Sequence, residues 1–174
     1  MSDILIAYFS RGGNNYVAGE IKYLEKGNTE IVAELLQSMI GGDLYKIESS
    51  KKYPEDYYET TEVANEELKS GFRPELTHWI DDISKYDTIF LGYPNWWGTF
   101  PTPVMTFLEK YNFSGKRIFP FCTHEGSGLG NSERDLKKFC PDSEIMNGLA
   151  IQGSTVNNCY NSVERWILKS GFKN

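Results

Sequence analysis

The stretch from Asp3 to Ile40 constrains this chain more than any other. Ile4-Leu5-Ile6-Ala7-Tyr8-Phe9 is a short apolar run, and Ser10-Arg11-Gly12-Gly13-Asn14-Asn15 behind it is turn-forming. Such a run, bounded by turn residues, predicts a buried strand. Ile31, Val32, Leu35, Leu36, Met39 and Ile40 recur at helical spacing and predict an amphipathic helix. Asn28 or Thr29 would cap its first turn. Strand, hydroxyl- and amide-rich loop, then helix N-terminus is an arrangement that suits a phosphate, because free backbone N–H groups and the positive end of the helix dipole converge there. Ser10 and Thr29 would add donors without adding charge. No Gly-Lys-Ser/Thr follows the glycines and no Gly-x-Gly-x-x-Gly is present, so neither nucleotide-loop fingerprint applies.

Residues Tyr16 to Lys26 interrupt this unit. Gly19 weakens a helix there, while Ile21 and Tyr23 around Lys22 suggest an extended excursion, such as a hairpin, between two halves of a phosphate loop. In the other reading the helix begins at Asn14 and the Gly27 region is a turn. The stronger helical pattern after Thr29 favours the insertion.

Further along, strands and helices alternate. Gly41-Gly42 ends the first helix, and Asp43 to Glu48 alternates apolar and polar as an edge strand does. Glu55 to Leu68 is rich in helix formers, with Tyr53, Tyr57 and Tyr58 at its start, either packing on the surface or lining a ligand mouth. Trp79, Ile80 and Ile83 suggest a short helix or turn. Tyr86 to Tyr93 is a central strand. A helix marked by Val104, Phe107, Leu108 and Tyr111 follows, with Pro101 or Pro103 in its first turn. Arg117 to Cys122 is a fourth strand, a helix runs through Leu136 and Phe139, Ile145 to Ile151 holds a fifth strand, and Val163, Trp166, Ile167 and Leu168 mark a closing helix. This alternation predicts one domain over residues 1–174, of α/β class, with a parallel sheet covered by helices on both faces.

Composition narrows the function. The net charge of −6 argues against non-specific nucleic-acid binding. No apolar run approaches the roughly 20 residues that span a bilayer. The N-terminus has no basic segment and predicts no signal peptide. Cys122, Cys140 and Cys159 are scattered, which predicts reduced thiols in a cytoplasmic protein. With only His78 and His124, a histidine-rich metal site is excluded.

In parallel α/β sheets ligands bind beyond the carboxyl ends of the strands. Three loops there are unusual. Ser10 to Thr29 offers neutral hydroxyls and amides, suited to a phosphate. Pro94-Asn95-Trp96-Trp97-Gly98-Thr99 offers adjacent tryptophans beside proline and glycine, suited to a flat ring. Thr123-His124-Glu125-Gly126-Ser127-Gly128 offers a hydroxyl and glycines, suited to close backbone approach. A flat ring carrying a phosphorylated side chain describes flavin mononucleotide, FMN.

The chain resembles the flavodoxin-like flavoproteins. The likeness rests on Tyr8-Phe9-Ser10-Arg11, on Gly27-Asn28-Thr29, on Asp87 to Gly98 with its Trp-Trp-Gly, and on Pro120 to Gly130 with its Thr-His-Glu-Gly-Ser-Gly. The resemblance implies a flavodoxin-like three-layer α/β/α sandwich whose five-stranded parallel sheet has the order 2-1-3-4-5, and bound FMN. It implies that Ser10, Asn28 and Thr29 hold the phosphate, with Arg11 as a neutralising charge. Pro94, Asn95, Trp96, Trp97 and Gly98 would meet the isoalloxazine ring, and Thr123, Glu125, Gly126 and Gly128 would line its other edge. The departure is the insertion, about fifteen residues between Arg11 and Gly27 where the familiar loop is contiguous. His124, at a strand end near the ring, is a proton-transfer candidate.

Three functions follow. The first is an electron carrier that meets redox partner proteins or a small electron acceptor. The second is an FMN-dependent NAD(P)H:quinone-type oxidoreductase, with the Tyr53–Tyr58 segment and the split loop walling a substrate pocket. The third is a non-redox phosphate-ligand-binding domain. The residues favour the first.

Overall fold

A computed structural model describes residues 3–173. Strand β1 (Asp3–Tyr8) is buried from Ile4 onward and lies inside a parallel sheet, one strand in from its edge. It pairs on one side with β4 (Asp43–Lys46), through Ile6 and Leu44, and on the other with β5 (Tyr86–Pro94), through Ile6 and Phe90. Beyond β5 lies β6 (Arg117–His124), and beyond that β7 (Glu144–Ile145) and β8 (Leu149–Gln152), both paired with β6.

Side chains alternate across β1 and split the core in two. Ile4, Ile6 and Tyr8 pack with Val32, Ala33 and Leu36 of α1 (Asn28–Ile40) and with Val163 and Trp166 of α5 (Tyr160–Lys169). Leu5, Ala7 and Phe9 face the other way, toward Val104, Phe107 and Leu108 of α3 (Thr102–Lys110) and Leu136 of α4 (Ser132–Phe139). Helix α2 (Tyr57–Ser70) lies on that second side, where Leu68 packs against the core; Asp56 caps it by accepting from the Glu59 N–H at 2.9 Å. This is a three-layer α/β/α sandwich.

The sheet has six strands rather than five, because its last position is occupied by two short pieces. The Gly148 N–H donates to Glu133 Oε1 (2.6 Å), and the Asn147 carbonyl accepts from Trp166 Nε1 (2.9 Å), so these backbone groups are drawn out of the ladder between β7 and β8. Counting the two pieces as one strand and setting aside the hairpin described next, the order along the sheet is 2-1-3-4-5.

The interruption of the first loop is a separate two-stranded antiparallel ribbon, β2 (Gly13–Val17) and β3 (Glu20–Leu24). It begins three residues earlier than Tyr16, the start read from the sequence. Ala18 and Gly19 form its turn with φ of 52° and 86°, the positive pair that a type I′ turn needs to match strand twist. Residues Trp79 to Ile83 are irregular, with one bend at Asp81, rather than a helix. No helix among the described residues is long and apolar enough to cross a membrane.

Candidate functional site

The two halves of the first loop, separated in sequence, meet in space at the foot of the hairpin. A Cβ on Gly12 would lie 3.0 Å from the carbonyl oxygens of Leu24 and Glu25. A Cβ on Gly27 would overlap the Ser10 hydroxyl and come within 2.6 Å of the Arg11 carbonyl oxygen. Gly27 therefore admits no side chain without a shift of the chain, and a side chain at Gly12 would press on two carbonyls, so the chain enters and leaves the hairpin through a tight neck. Helix α1 starts directly after it. Gly27 occupies the N-cap position and makes no side-chain bond, so neither Asn28 nor Thr29 is the cap; both lie inside the first turn. Capping comes from across the neck, where Ser10 Oγ accepts from the Glu30 N–H at 3.1 Å. Among the described residues the N–H groups of Asn28 and Thr29 have no partner, so two donors at the positive end of α1 remain for a ligand.

Arg11 is differently employed. Its guanidinium donates to the carbonyls of Asn14 (2.5 Å), Pro54 (2.8 Å) and Glu55 (2.8 Å), and reaches Asn15 Oδ1 at 3.4 Å. It clamps the base of the hairpin to the approach to α2. Burial pulls its pKa down, while the charges of Asp56 and Glu55 work the other way.

The loop after β5 is a second tight turn. Trp96 and Thr99 pair across it, N–H to carbonyl at 2.9 Å in one direction and 3.4 Å in the other. Trp97 and Gly98 between them have φ of 58° and 84°, again the type I′ pattern. A tryptophan in that region is strained, by about 1–3 kcal/mol, and its surroundings hold it there. The indole N–H donates to the Thr61 carbonyl on α2 at 2.8 Å, although the ring is 55% exposed. Asn95 ties this loop to the next, accepting from the Gly98 N–H (2.9 Å) and donating to the Gly128 carbonyl (2.8 Å). Pro94 is the last residue of β5, paired with Thr123. Trp96 is partly buried, edge-on to Phe9 at 5.2 Å and to Tyr53 at 5.1 Å.

The loop after β6 closes the arrangement. The Thr123 hydroxyl meets that of Thr29 at 2.8 Å. His124 Nδ1 accepts from the Gly126 N–H at 2.9 Å, which fixes the ring locally. Gly126 and Gly128 have φ of 136° and 61°. Glu125 Oε2 accepts from the Ala18 N–H at the hairpin tip (3.3 Å), whereas its Oε1 is buried without a partner. That oxygen and the Asn28 amide both crowd Gly153, where a Cβ would overlap them. The hairpin therefore arches over the strand ends. Tyr16 stacks on Tyr57 with ring centroids 6.0 Å apart, and Tyr57 meets Tyr58 edge-on at 5.3 Å.

Two adjoining cavities result, sharing Asn15, Tyr57, Asn95 and Trp96. The smaller, about 110 Å³, lies by Asn28, Pro94, Thr123, His124 and Glu125. The larger, about 370 Å³, runs along Tyr58, Thr60, Thr61, Ala64 and Trp97. The latter volume falls within the roughly 300–1,000 Å³ of small-molecule sites. The structure thus brings the three strand-end loops together and adds the hairpin and α2. Thr60, Thr61, Ala64 and Asn15 were not picked out from the sequence. Tyr57, Thr60, Thr61 and Ala64 follow helical spacing along one small-residue face, and that is the signal by which the α2 wall is readable.

Residues 3–169 match the flavodoxin family. A candidate flavoprotein from Bacteroides eggerthii, known from a crystal structure, is 30% identical, covering 99% of this chain and 100% of its own, with a TM-score of 0.78. A second, from Bacteroides uniformis, is 28% identical over 96% of this chain and 98% of its own, with a TM-score of 0.75. A flavoprotein from Lactobacillus acidophilus, crystallised in complex with FMN, shares the fold at 22% identity and a TM-score of 0.66, covering 92% of this chain and 99% of its own. No curated protein matches the sequence. By the match over nearly its whole length, the chain belongs to the flavodoxin family.

Proposed function

We propose that this protein binds FMN at the joined strand-end loops and serves in electron transfer. One observation carries the reading: two unpartnered N–H groups at the start of α1 adjoin an aromatic-walled cavity that Asn28 and Tyr57 help to line. The donor set suits a phosphate monoester, because the Asn28 and Thr29 amides and the Ser10 hydroxyl offer uncharged donors at a helix N-terminus. The cavity between Trp97 and the tyrosines suits a planar ring. Electron uptake and release are chemistry that FMN itself supplies when bound. In this reading the residues orient and shield. Asn95 locks the loops after β5 and β6 together, Trp97 is held as a wall by Thr61, and Glu125 presents a carboxylate whose charge opposes added negative charge nearby. Reduced thiols at Cys122, Cys140 and Cys159, all buried and unpaired, support a cytoplasmic setting.

Exposure of Tyr58 (63%) and Trp97 (55%) at the cavity mouth favours a second reading, in which a small electron acceptor enters and the protein is an NAD(P)H:quinone-type oxidoreductase. The visible spectrum of the desalted protein, followed by NADH or NADPH with a quinone, tests both. Bound flavin without turnover is the expected result and points to a carrier that meets redox partner proteins. Turnover selects the enzyme. A protein that stays colourless after FMN is added back overturns the proposal and leaves a non-redox phosphate-ligand-binding domain.

A further inference from the structure

Helix α2 carries one carboxylate that the site described above does not use. Glu67 is 4% exposed. Its Oε2 accepts from the Tyr53 hydroxyl and from the Thr102 hydroxyl at the start of α3, both at 2.7 Å. Its Oε1 makes no hydrogen bond, and the exposed Lys51 ammonium stands 3.8 Å away. Burying a carboxylate is costly, and an apolar side chain of similar volume often serves stability as well or better. Stability alone therefore does not call for a charge at this position.

The second observation lies at the other end of Tyr53. This residue stands in the irregular stretch between β4 and α2, outside any ladder or helix. Its ring meets Trp96 at 5.1 Å and Phe9 at 6.0 Å, and Phe9 meets Trp96 at 5.2 Å. The interplanar angles of the three pairs are 83°, 85° and 80°. Each ring is thus nearly perpendicular to the other two, so turning one of them spoils two edge-on contacts at once. Phe9 is buried, and its N–H donates to the Gly92 carbonyl at 3.0 Å, which fixes that member in the sheet. Tyr53 has no such backbone anchor and is pinned instead by its hydroxyl, through a short bond to a charged acceptor. Burial and the bond to Glu67 hold the Tyr53 pKa well above its ordinary value, so the hydroxyl stays a donor. Trp96, the third ring, borders both cavities of the site.

We propose that Glu67 is a positioning residue for the FMN site: through Tyr53 it sets the angle of Trp96, the side chain that both cavities share. The inference rests on the reading that Trp96 borders the bound FMN. Three variants test it. Glu67→Met removes the charge and the acceptor, Glu67→Gln keeps a weaker acceptor, and Tyr53→Phe removes the donor while keeping the ring. In the flavin-free protein the indole N–H resonance of Trp96, identified by its loss in Trp96→Phe, should move in all three and most in Glu67→Met. In FMN titrations the affinity should fall about fivefold in Glu67→Met and in Tyr53→Phe, the scale of one lost charge-assisted hydrogen bond. Glu67→Gln should recover part of that loss. Because the two residues act as one unit, the double variant Glu67→Met with Tyr53→Phe should bind FMN no more weakly than the worse single variant. Tyr53→Phe decides the matter if Glu67→Met does not fold. An unmoved Trp96 resonance in Tyr53→Phe, unchanged FMN affinity in that variant, or additive losses in the double variant would overturn the proposal. A chain that takes up no FMN is judged by the resonance alone, so the two readings fail separately.

Discussion

The hydroxyl oxygens of Thr29 and Thr123 lie 2.8 Å apart in the protein interior, although 94 residues separate them in sequence. The bond fastens the first turn of α1 to the end of β6, so the helix start and the loop after β6 are held as one piece. Thr123→Val would keep the shape and leave the Thr29 hydroxyl buried without a partner. We expect a loss of about 1–3 kcal/mol of stability, measured by urea unfolding of the flavin-free protein, together with weaker FMN binding. A loss below about 0.5 kcal/mol, the size of an ordinary surface change, would show that the bond does not hold the site together.

Gly27 and Gly19 separate two roles of glycine. Gly27→Ala places a methyl against Ser10 and the Arg11 carbonyl. It should cost about 1–3 kcal/mol as overpacking does and lower FMN affinity by at least tenfold. Gly19→Ala meets nothing within 4 Å and strains only a φ of 86°, at about 1–2 kcal/mol, and should leave FMN affinity unaltered. Equal effects of the two on flavin binding would contradict the neck as part of the site.

Glu125 sets a carboxylate beside Asn28, near where the phosphate is expected. Glu125→Gln keeps the oxygen that accepts from Ala18 and removes the charge. FMN should bind about three- to tenfold more tightly, the worth of roughly 1 kcal/mol for a half-buried charge. Quenching of flavin fluorescence during titration measures it, and unchanged or weaker binding would mean that the carboxylate does not oppose the cofactor.

Burial pushes the Cys122 and Cys140 thiols up to about 12. A raised thiol pKa means that the folded chain keeps protons which the unfolded chain has already lost. Stability should therefore be flat below the ordinary thiol pKa, near pH 8.5, and fall as the pH rises from there toward 12. Urea midpoints at pH 7, 9 and 10.5 check the sign. At pH 8 both thiols should resist iodoacetamide in the native protein and react once it is unfolded.

The sheet and its helices were legible because their signals are local. Apolar runs at Ile4–Phe9 and Ile89–Leu91, and helical spacing from Ile31 to Ile40, survive without tertiary context. The break between β7 and β8 was not legible, since it depends on Glu133 and Trp166 reaching Gly148 and Asn147 from distant helices. The same reason hid the true cap of α1. Asn28 and Thr29 are good capping residues by type, but Ser10 does the work from across a neck that only the fold creates. Arg11 reads from the sequence as a charge that would neutralise the phosphate. Its carbonyl partners at Pro54 and Glu55 have no sequence signature. The α2 wall was half visible, in the tyrosines at its start and not in Thr60, Thr61 and Ala64.

The neck at Gly12 and Gly27 also makes residues 13–24 an appendix in the mechanical sense. The ends of the hairpin are held together by its foot, so its length adds little to the closure that the α1 terminus requires. Descendants of this chain are free to lengthen, trim or exchange the ribbon without disturbing the anchor beneath it. What changes with each exchange is the rim that Tyr16 forms over the cavity beside Asn28. Diversification can proceed in a twelve-residue cassette while the scaffold stays put.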